Sequence, residues 1–206
     1  PDWSADGATI LFSNGYNEES TIYVINPDGT GLKSLTDGDR CGSSEPDWSP
    51  DGSKILFTKH PCYLSPSESD FEIYIMNANG TNQIALTDND YEDGLPHWSP
   101  DGSKIGFSSS RDDEYPGIPD VYMMNPDGGD LVRLTRGPDI KVMSAWSPDS
   151  SKIVFLNIRE IPSGYEQHLY VMNSDGTEQR RLTGHDYDEG LVVSWSPDGS
   201  KVAFSS

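Results

Sequence analysis

The sequence predicts an all-β protein assembled from repeated four-stranded antiparallel units. Three observations carry that prediction. A ten-residue stretch occurs five times, as WSADGATILF from Trp3, WSPDGSKILF from Trp48, WSPDGSKIGF from Trp98, WSPDSSKIVF from Trp146 and WSPDGSKVAF from Trp195. The intervals are 45, 50, 48 and 49 residues, a period that marks repeated supersecondary units. Hydrophobic residues are only 33% of the chain but fall in short dense runs, which argues against disorder. Turn formers are dense, with 20 glycines and 15 prolines in 206 residues.

Each repeat divides into strands A to D, and the second shows them best. Strand A ends at Trp48. The turn Ser49-Pro50-Asp51-Gly52 follows, with proline presetting φ and glycine free to take positive φ. Strand B runs from Lys54 to Thr58, and a variable loop spans Lys59 to Asp70. Strand C is Glu72-Ile73-Tyr74-Ile75-Met76, and Asn77-Ala78-Asn79-Gly80 makes a second hairpin turn. Strand D is Gln83 to Thr87, and a polar loop from Asp88 to Pro96 leads onward. The other repeats match piece by piece. Strand D closes on Leu35-Thr36, Leu86-Thr87, Leu134-Thr135 and Leu182-Thr183.

Strands B and C are continuously apolar, which indicates burial on both faces. A sheet stacked between two like sheets has that environment and cannot bury its faces alone. Radial repetition supplies the neighbours, so the expected fold is a β-propeller. The predicted blades are 1–45, 46–95, 96–143 and 144–192, with the A–B half of a fifth at 193–206, in one domain or segment of one. The chain has no initiator methionine and opens inside its motif, so it is read as a mature or excerpted segment. Strands C and D of the fifth blade are expected from further sequence or from another chain. A five-blade ring with a thin last blade is the remaining possibility.

The core WSPDGSKI-F, the strand Ile-Tyr-Val/Ile-Met-Asn, the PDG turn and the closing Leu-Thr together resemble the TolB-like (WD-repeat-like) propeller repeat, over essentially the whole chain. That resemblance implies a propeller, often six-bladed. The namesake of the family is a periplasmic protein that binds partner proteins. The same blades also occur beside peptidase domains, in sugar-processing enzymes and in cell-surface proteins, so the repeat specifies fold more than function.

A net charge of −20 repels phosphate backbones and anionic membranes, so nucleic acid is not an expected partner. No run approaches the ~20 apolar residues of a membrane span. No nucleophile elbow, H-E-x-x-H motif or phosphate-cradling glycine loop occurs, so no catalytic residues are assigned and an enzyme is not expected from this segment. The peptidase relatives keep their catalytic serine in a separate domain, and the lyase relatives hold a metal with histidines. His60, His97, His168 and His185 are scattered and form no such set.

The loops between strands D and A are richest in ligand types. Asp88, Asp90, Glu92 and Asp93 in the second repeat align without a gap on Asp186, Asp188 and Glu189 in the fourth. Clustered carboxylates and turn carbonyls suit Ca²⁺, although the spacing is not that of an EF-hand. The turn aspartates Asp6, Asp51, Asp101, Asp149 and Asp198 are read as structural, since aspartate accepts backbone N–H bonds in such turns. Cys41 precedes strand A and Cys62 follows strand B of the second repeat, so both fall on one rim. A Cys41–Cys62 disulfide is expected, and with it an oxidising compartment. Each long B–C loop carries an aromatic residue beside charges, at Tyr63, Tyr115 and Tyr165. These three, with His97 at the start of an inner strand, are the candidate partner contacts. The sequence thus points to a non-catalytic periplasmic or extracellular scaffold that binds protein partners. The alternatives are the propeller of a larger hydrolase or polysaccharide lyase, and a self-assembling fibre subunit joined through its half-blade.

Overall fold

Each copy of the ten-residue stretch folds as a strand, a hydrogen-bonded turn and a second strand. In the second repeat the Ser49 hydroxyl donates to Asp51 Oδ1 at 2.7 Å, while the Ser53 N–H and hydroxyl donate to the same oxygen at 2.9 and 2.8 Å. The Lys54 N–H donates back to Ser49 Oγ at 2.9 Å. Gly52 closes the turn at φ 69°, a conformation that favours glycine. The computed structural model describes residues 1–15, 19–36, 41–61, 70–112, 114–184 and 193–205. Among these, the strands sort into four four-stranded antiparallel sheets and one two-stranded sheet, each in sequence order.

The first blade contains β1 (Asp2–Trp3), β2 (Ile10–Asn14), β3 (Thr21–Ile25) and β4 (Lys33–Ser34). The second contains β5 (Ser43–Trp48), β6 (Lys54–Lys59), β7 (Glu72–Asn77) and β8 (Ile84–Ala85). The third contains β9 (Asp93–Trp98), β10 (Ile105–Ser109), β11 (Asp120–Met124) and β12 (Val132–Arg133). The fourth contains β13 (Ile140–Trp146), β14 (Lys152–Ile161), β15 (Gly164–Asn173) and β16 (Arg180–Arg181). The half-blade is β17 (Val193–Trp195) with β18 (Val202–Phe204). Strand A reaches further back than its tryptophan alone suggested, to Ser43, Asp93 and Ile140.

The recurring Leu-Thr fastens the short strand D to strand C. The leucine N–H bonds the strand C carbonyl, from Leu35 to Ile22, Leu86 to Ile73, Leu134 to Val121 and Leu182 to Leu169. The threonine hydroxyl then accepts the N–H of that same strand C residue, at 2.8–3.1 Å in all four blades. Strands B and C are locked by an aromatic pair in register. Phe12–Tyr23, Phe57–Tyr74, Phe107–Tyr122 and Phe155–Tyr170 have ring centroids 5.7, 5.6, 5.9 and 5.5 Å apart, the range in which aromatic pairs attract.

Two compact units divide the chain, Pro1–Trp98 and Ser99–Ser206. In the first, Leu11, Ile22 and Leu35 of one blade meet Ile55, Phe57 and Met76 of the next, with Trp48 packed alongside. In the second unit, β14 shows two-sided burial directly. Ile153 and Phe155 join a core with Val121, Leu134 and Trp146. Val154 and Leu156, pointing the other way, join a core flanked by Val193, Trp195 and Val202. Alternate residues of one strand therefore serve two different cores.

Two departures from the repeat have physical reasons. Gly106 stands where other copies carry leucine, valine or alanine. A Cβ there would lie 3.0 Å from Met143 Cε and 3.1 Å from Trp146 Nε1, so Met143 already fills the space. Ser150 replaces the turn glycine and sits at φ 60°. That backbone costs about 1 kcal/mol without glycine. The Ser150 hydroxyl accepts the Asp101 N–H of the preceding turn at 3.1 Å, a bond glycine cannot make and one that offsets the strain.

The turn hydrogen bonds depress the aspartate carboxyls. Asp51, Asp149 and Asp198 are each lowered to about 2, led by the donating serine hydroxyl. A carboxyl whose folded value is depressed contributes stability above its unfolded value of roughly 3.9, lost as pH falls toward the folded value. The thermal midpoint is therefore expected to fall between about pH 4 and about pH 2, and Asp51→Asn, which cannot ionise, to show a shallower fall than the parent over that interval.

Candidate functional site

The B–C hairpin of the fourth blade projects beyond its sheet. Strand β13 pairs with β14 no further than Ile140 opposite Ile158, whereas β14 and β15 continue to Ile161 opposite Gly164. The tip is a two-stranded arm with Tyr165 on it, 62% exposed. At its base Arg159 reaches Asp139 at 3.2 Å. Tyr115 behaves differently. It is half-buried, and its carbonyl accepts the Ile118 N–H at 3.1 Å within a turn. Tyr63 lies outside the described residues. The aromatic contacts expected from the sequence are thus distributed among separate loops.

The acidic loop of the second repeat is organised by its asparagine. The Asn89 N–H donates to Glu72 Oε1 at 2.7 Å, and its side-chain amide donates to Asp93 Oδ2 at 2.8 Å. Asp93 is fully buried, whereas Asp88, Asp90 and Glu92 are exposed. Burial pushes the Glu72 carboxyl up, helped by the charges of Asp93 and Asp88, against the bonds from Thr87 and Asn89. Among the described residues no group of three or more His, Cys, Asp or Glu side chains is placed to hold a metal ion. Asp186, Asp188, Glu189 and His185 lie outside the described residues. Cys41 is buried, and no described cysteine is free; Cys62 lies outside the described residues.

The aspartates before Trp3 and Trp48 have a role that the sequence did not disclose. Asp2 Oδ2 accepts the N–H of Trp48 at 3.0 Å, and Asp47 Oδ2 accepts the N–H of Trp98 at 2.7 Å. Each aspartate reaches from one inner strand to the next. Burial raises the Asp2 carboxyl, the Trp48 bond opposes that rise, and the charge of Asp47 adds to it. His97 occupies the same slot on β9, one-third exposed, with Nδ1 3.8 Å from Asp47 Oδ1.

A buried charged network in the third and fourth blades was also missed. Arg133 bonds Asp112 at 2.5 Å and Asp120 at 2.6 Å, and its Nε donates to the Thr135 carbonyl at 2.8 Å. Lys141 lies 3.5 Å from Asp120 and donates to the carbonyl oxygens of Gly137 and Asp139. The Thr135 hydroxyl donates to Asp120 at 2.6 Å. Two cations and two anions are matched within it. The available signal was an acid at the first position of strand C: Asp120 meets the Leu-Thr hydroxyl there as Glu72 meets that of Thr87. Removing one member of a matched buried set leaves an uncompensated charge, which costs about 3–5 kcal/mol. Asp120→Ala is expected to lose stability on that scale in urea unfolding, and a neutral outcome would show that Arg133 finds water instead.

Four-stranded antiparallel blades with an Asp-turn between strands A and B, stacked through strand B, define a propeller-type repeat protein. The family model described as TolB beta propeller domain matches residues 63–206, and the chain belongs to that family. Solved structures agree. TolB from Acinetobacter baumannii is similar at a TM-score of 0.73 and 25% identity, over 97% of this chain and 46% of that one. The putative TolB from Agrobacterium tumefaciens is similar at 0.75 and 24%, over 99% and 73%. A chain of a nidogen/laminin complex matches at 0.69 and 14%, over 97% and 73%, which is a likeness of fold alone. The chain thus spans about half the length of the A. baumannii TolB structure, which it covers at 46%. A comparison with curated protein sequences finds no match.

Proposed function

We propose that this chain is a non-catalytic propeller segment that binds a protein partner outside the cytoplasm, in the periplasm in particular. The observation that carries this reading is the β14–β15 arm. Both its strands are ten residues long, against five or six for the corresponding strands of the other blades, and they raise Tyr165 well clear of the sheet. A tyrosine on a hydrogen-bonded arm offers contact area at low ordering cost, the property that enriches tyrosine in binding surfaces. Meanwhile the turn aspartates and the strand C tyrosines are committed to structure. The family resemblance to partner-binding TolB supports the same reading.

The test uses the chain as bait. Chemical crosslinking in a periplasmic extract is compared between the parent and a variant with the arm, residues 159–166, shortened to a tight turn. Loss of a specific crosslinked species in the variant, and its weakening in Tyr165→Ala, is expected. Equal crosslinking by all three places the binding surface elsewhere.

Two finer proposals belong to the same reading. A Cys41–Cys62 disulfide suits an oxidising compartment. Ca²⁺ bridging the exposed carboxylates of Asp88, Asp90 and Glu92 would require the loop to gather them on binding. Chelation is then expected to lower the thermal midpoint, and an unchanged midpoint removes Ca²⁺ from the account.

A further inference from the structure

The inner strands β1, β5 and β9 of the first unit bring four titratable groups together. Asp2 comes from β1, Glu45 and Asp47 from β5, and His97 from β9. Three of them hold a neighbouring strand by its backbone. Asp2 takes the Trp48 N–H, and Asp47 takes the Trp98 N–H. Glu45 Oε2 takes the Leu95 N–H at 2.8 Å and the Thr58 hydroxyl at 2.7 Å. The two β9 residues held by β5, Leu95 and Trp98, flank His97. Glu45 and Leu95 themselves sit at φ 54° and 53°, left-handed values that are uncommon for such side chains. At Leu95 this backbone is held across the seam by the Glu45 side chain.

We propose that His97 and Asp47 form an acid-tightened latch across the seam between β5 and β9. With His97 neutral, the carboxylates of Asp2, Glu45 and Asp47 share the seam, and the Pro1 ammonium acts on Asp2. With His97 protonated, the imidazolium lies beside Asp47, within the field of Glu45 and Asp2, and the backbone bonds on either side of it are reinforced. The other charged groups on the elements packed there are engaged elsewhere. On β6, Lys54 donates to Asn77 at 2.7 Å and Lys59 lies over the Tyr74 ring. On β7, Glu72 holds Asn89, and on β9, Asp93 accepts from Asn89.

The direction of the titration agrees. Burial opposes a charged imidazole most strongly, but the Asp47 bond and charge, with those of Glu45 and Asp2, outweigh it and raise His97 above its ordinary value. A group raised on folding contributes stability that is complete below its unfolded value of roughly 6.5 and is lost as pH rises through the folded value. The latch therefore closes on acidification and releases toward alkaline pH, within the range where histidine alone among unperturbed side chains titrates.

The test is made on the whole chain by following the His97 imidazole by NMR, together with amide hydrogen exchange at Leu95 and Trp98. The parent and His97→Gln are compared at about pH 8.5 and about pH 5.5. His97 is expected to titrate above about 6.5 in the parent and to shift downward in Asp47→Asn. The parent is expected to gain severalfold in protection at Leu95 and Trp98 relative to His97→Gln on acidification, with no gain at amides of the Asp51 turn. A protection ratio that does not change with pH overturns the proposal, as does an imidazole titrating at or below about 6.5. If His97→Gln does not fold, the imidazole titration of the parent and of Asp47→Asn decides alone.

Discussion

Two-sided burial of strand B is the constraint on which the rest of the structure depends. In β14, Ile153 and Phe155 belong to one core while Val154 and Leu156 belong to another. No single blade can satisfy both faces, so the sheet is stable only as a member of a stack. Everything else in the repeat holds strand B in position. The Asp-turn fixes its start against strand A, the Phe–Tyr pair fixes its register on strand C, and the Leu-Thr fastens strand D outside them. Fully burying each large aliphatic or aromatic side chain contributes about 1.5–3 kcal/mol, which makes these faces the dominant favourable contribution.

Polar groups then divide into those that shape a blade and those that join blades. The turn aspartates act within four residues and are exposed, which is why their carboxyls can be strongly acidic without a buried charge. Asp2 and Asp47 act between blades through a backbone N–H. The Arg133 network goes further and places four charges under cover, tolerable because each is matched.

What could be read from the sequence follows the reach of each interaction. The Asp-turn was legible because its donors and acceptor lie within five residues and recur in every copy. The two-sided strands were legible from uninterrupted apolar runs such as Ile55 to Phe57. The target of the aspartate preceding Trp48 is a tryptophan N–H about a repeat away, and a backbone donor leaves no mark on the partner's side chain. The Arg133 network joins β12 to residues 13 and 21 positions away, on β11 and in the loop before it, with no period to expose it. Ser150 and Gly106 depart from the repeat, and each is compensated by a neighbour that only the folded chain brings near. The arm bearing Tyr165 read as a variable loop, because its pairing depends on register rather than on composition.

The hook from Asp2 to Trp48, and again from Asp47 to Trp98, has a consequence for how such chains change in length. Hook and eye lie side by side in one repeat: the aspartate reaches forward and the adjacent tryptophan N–H receives from behind. Removing or duplicating the whole interval from Trp3 to Trp48 would rejoin a hook to an eye, whereas a cut that took away one partner alone would strand the other. The joint between blades thus favours growth and loss in whole repeats, and the gene can count in blades.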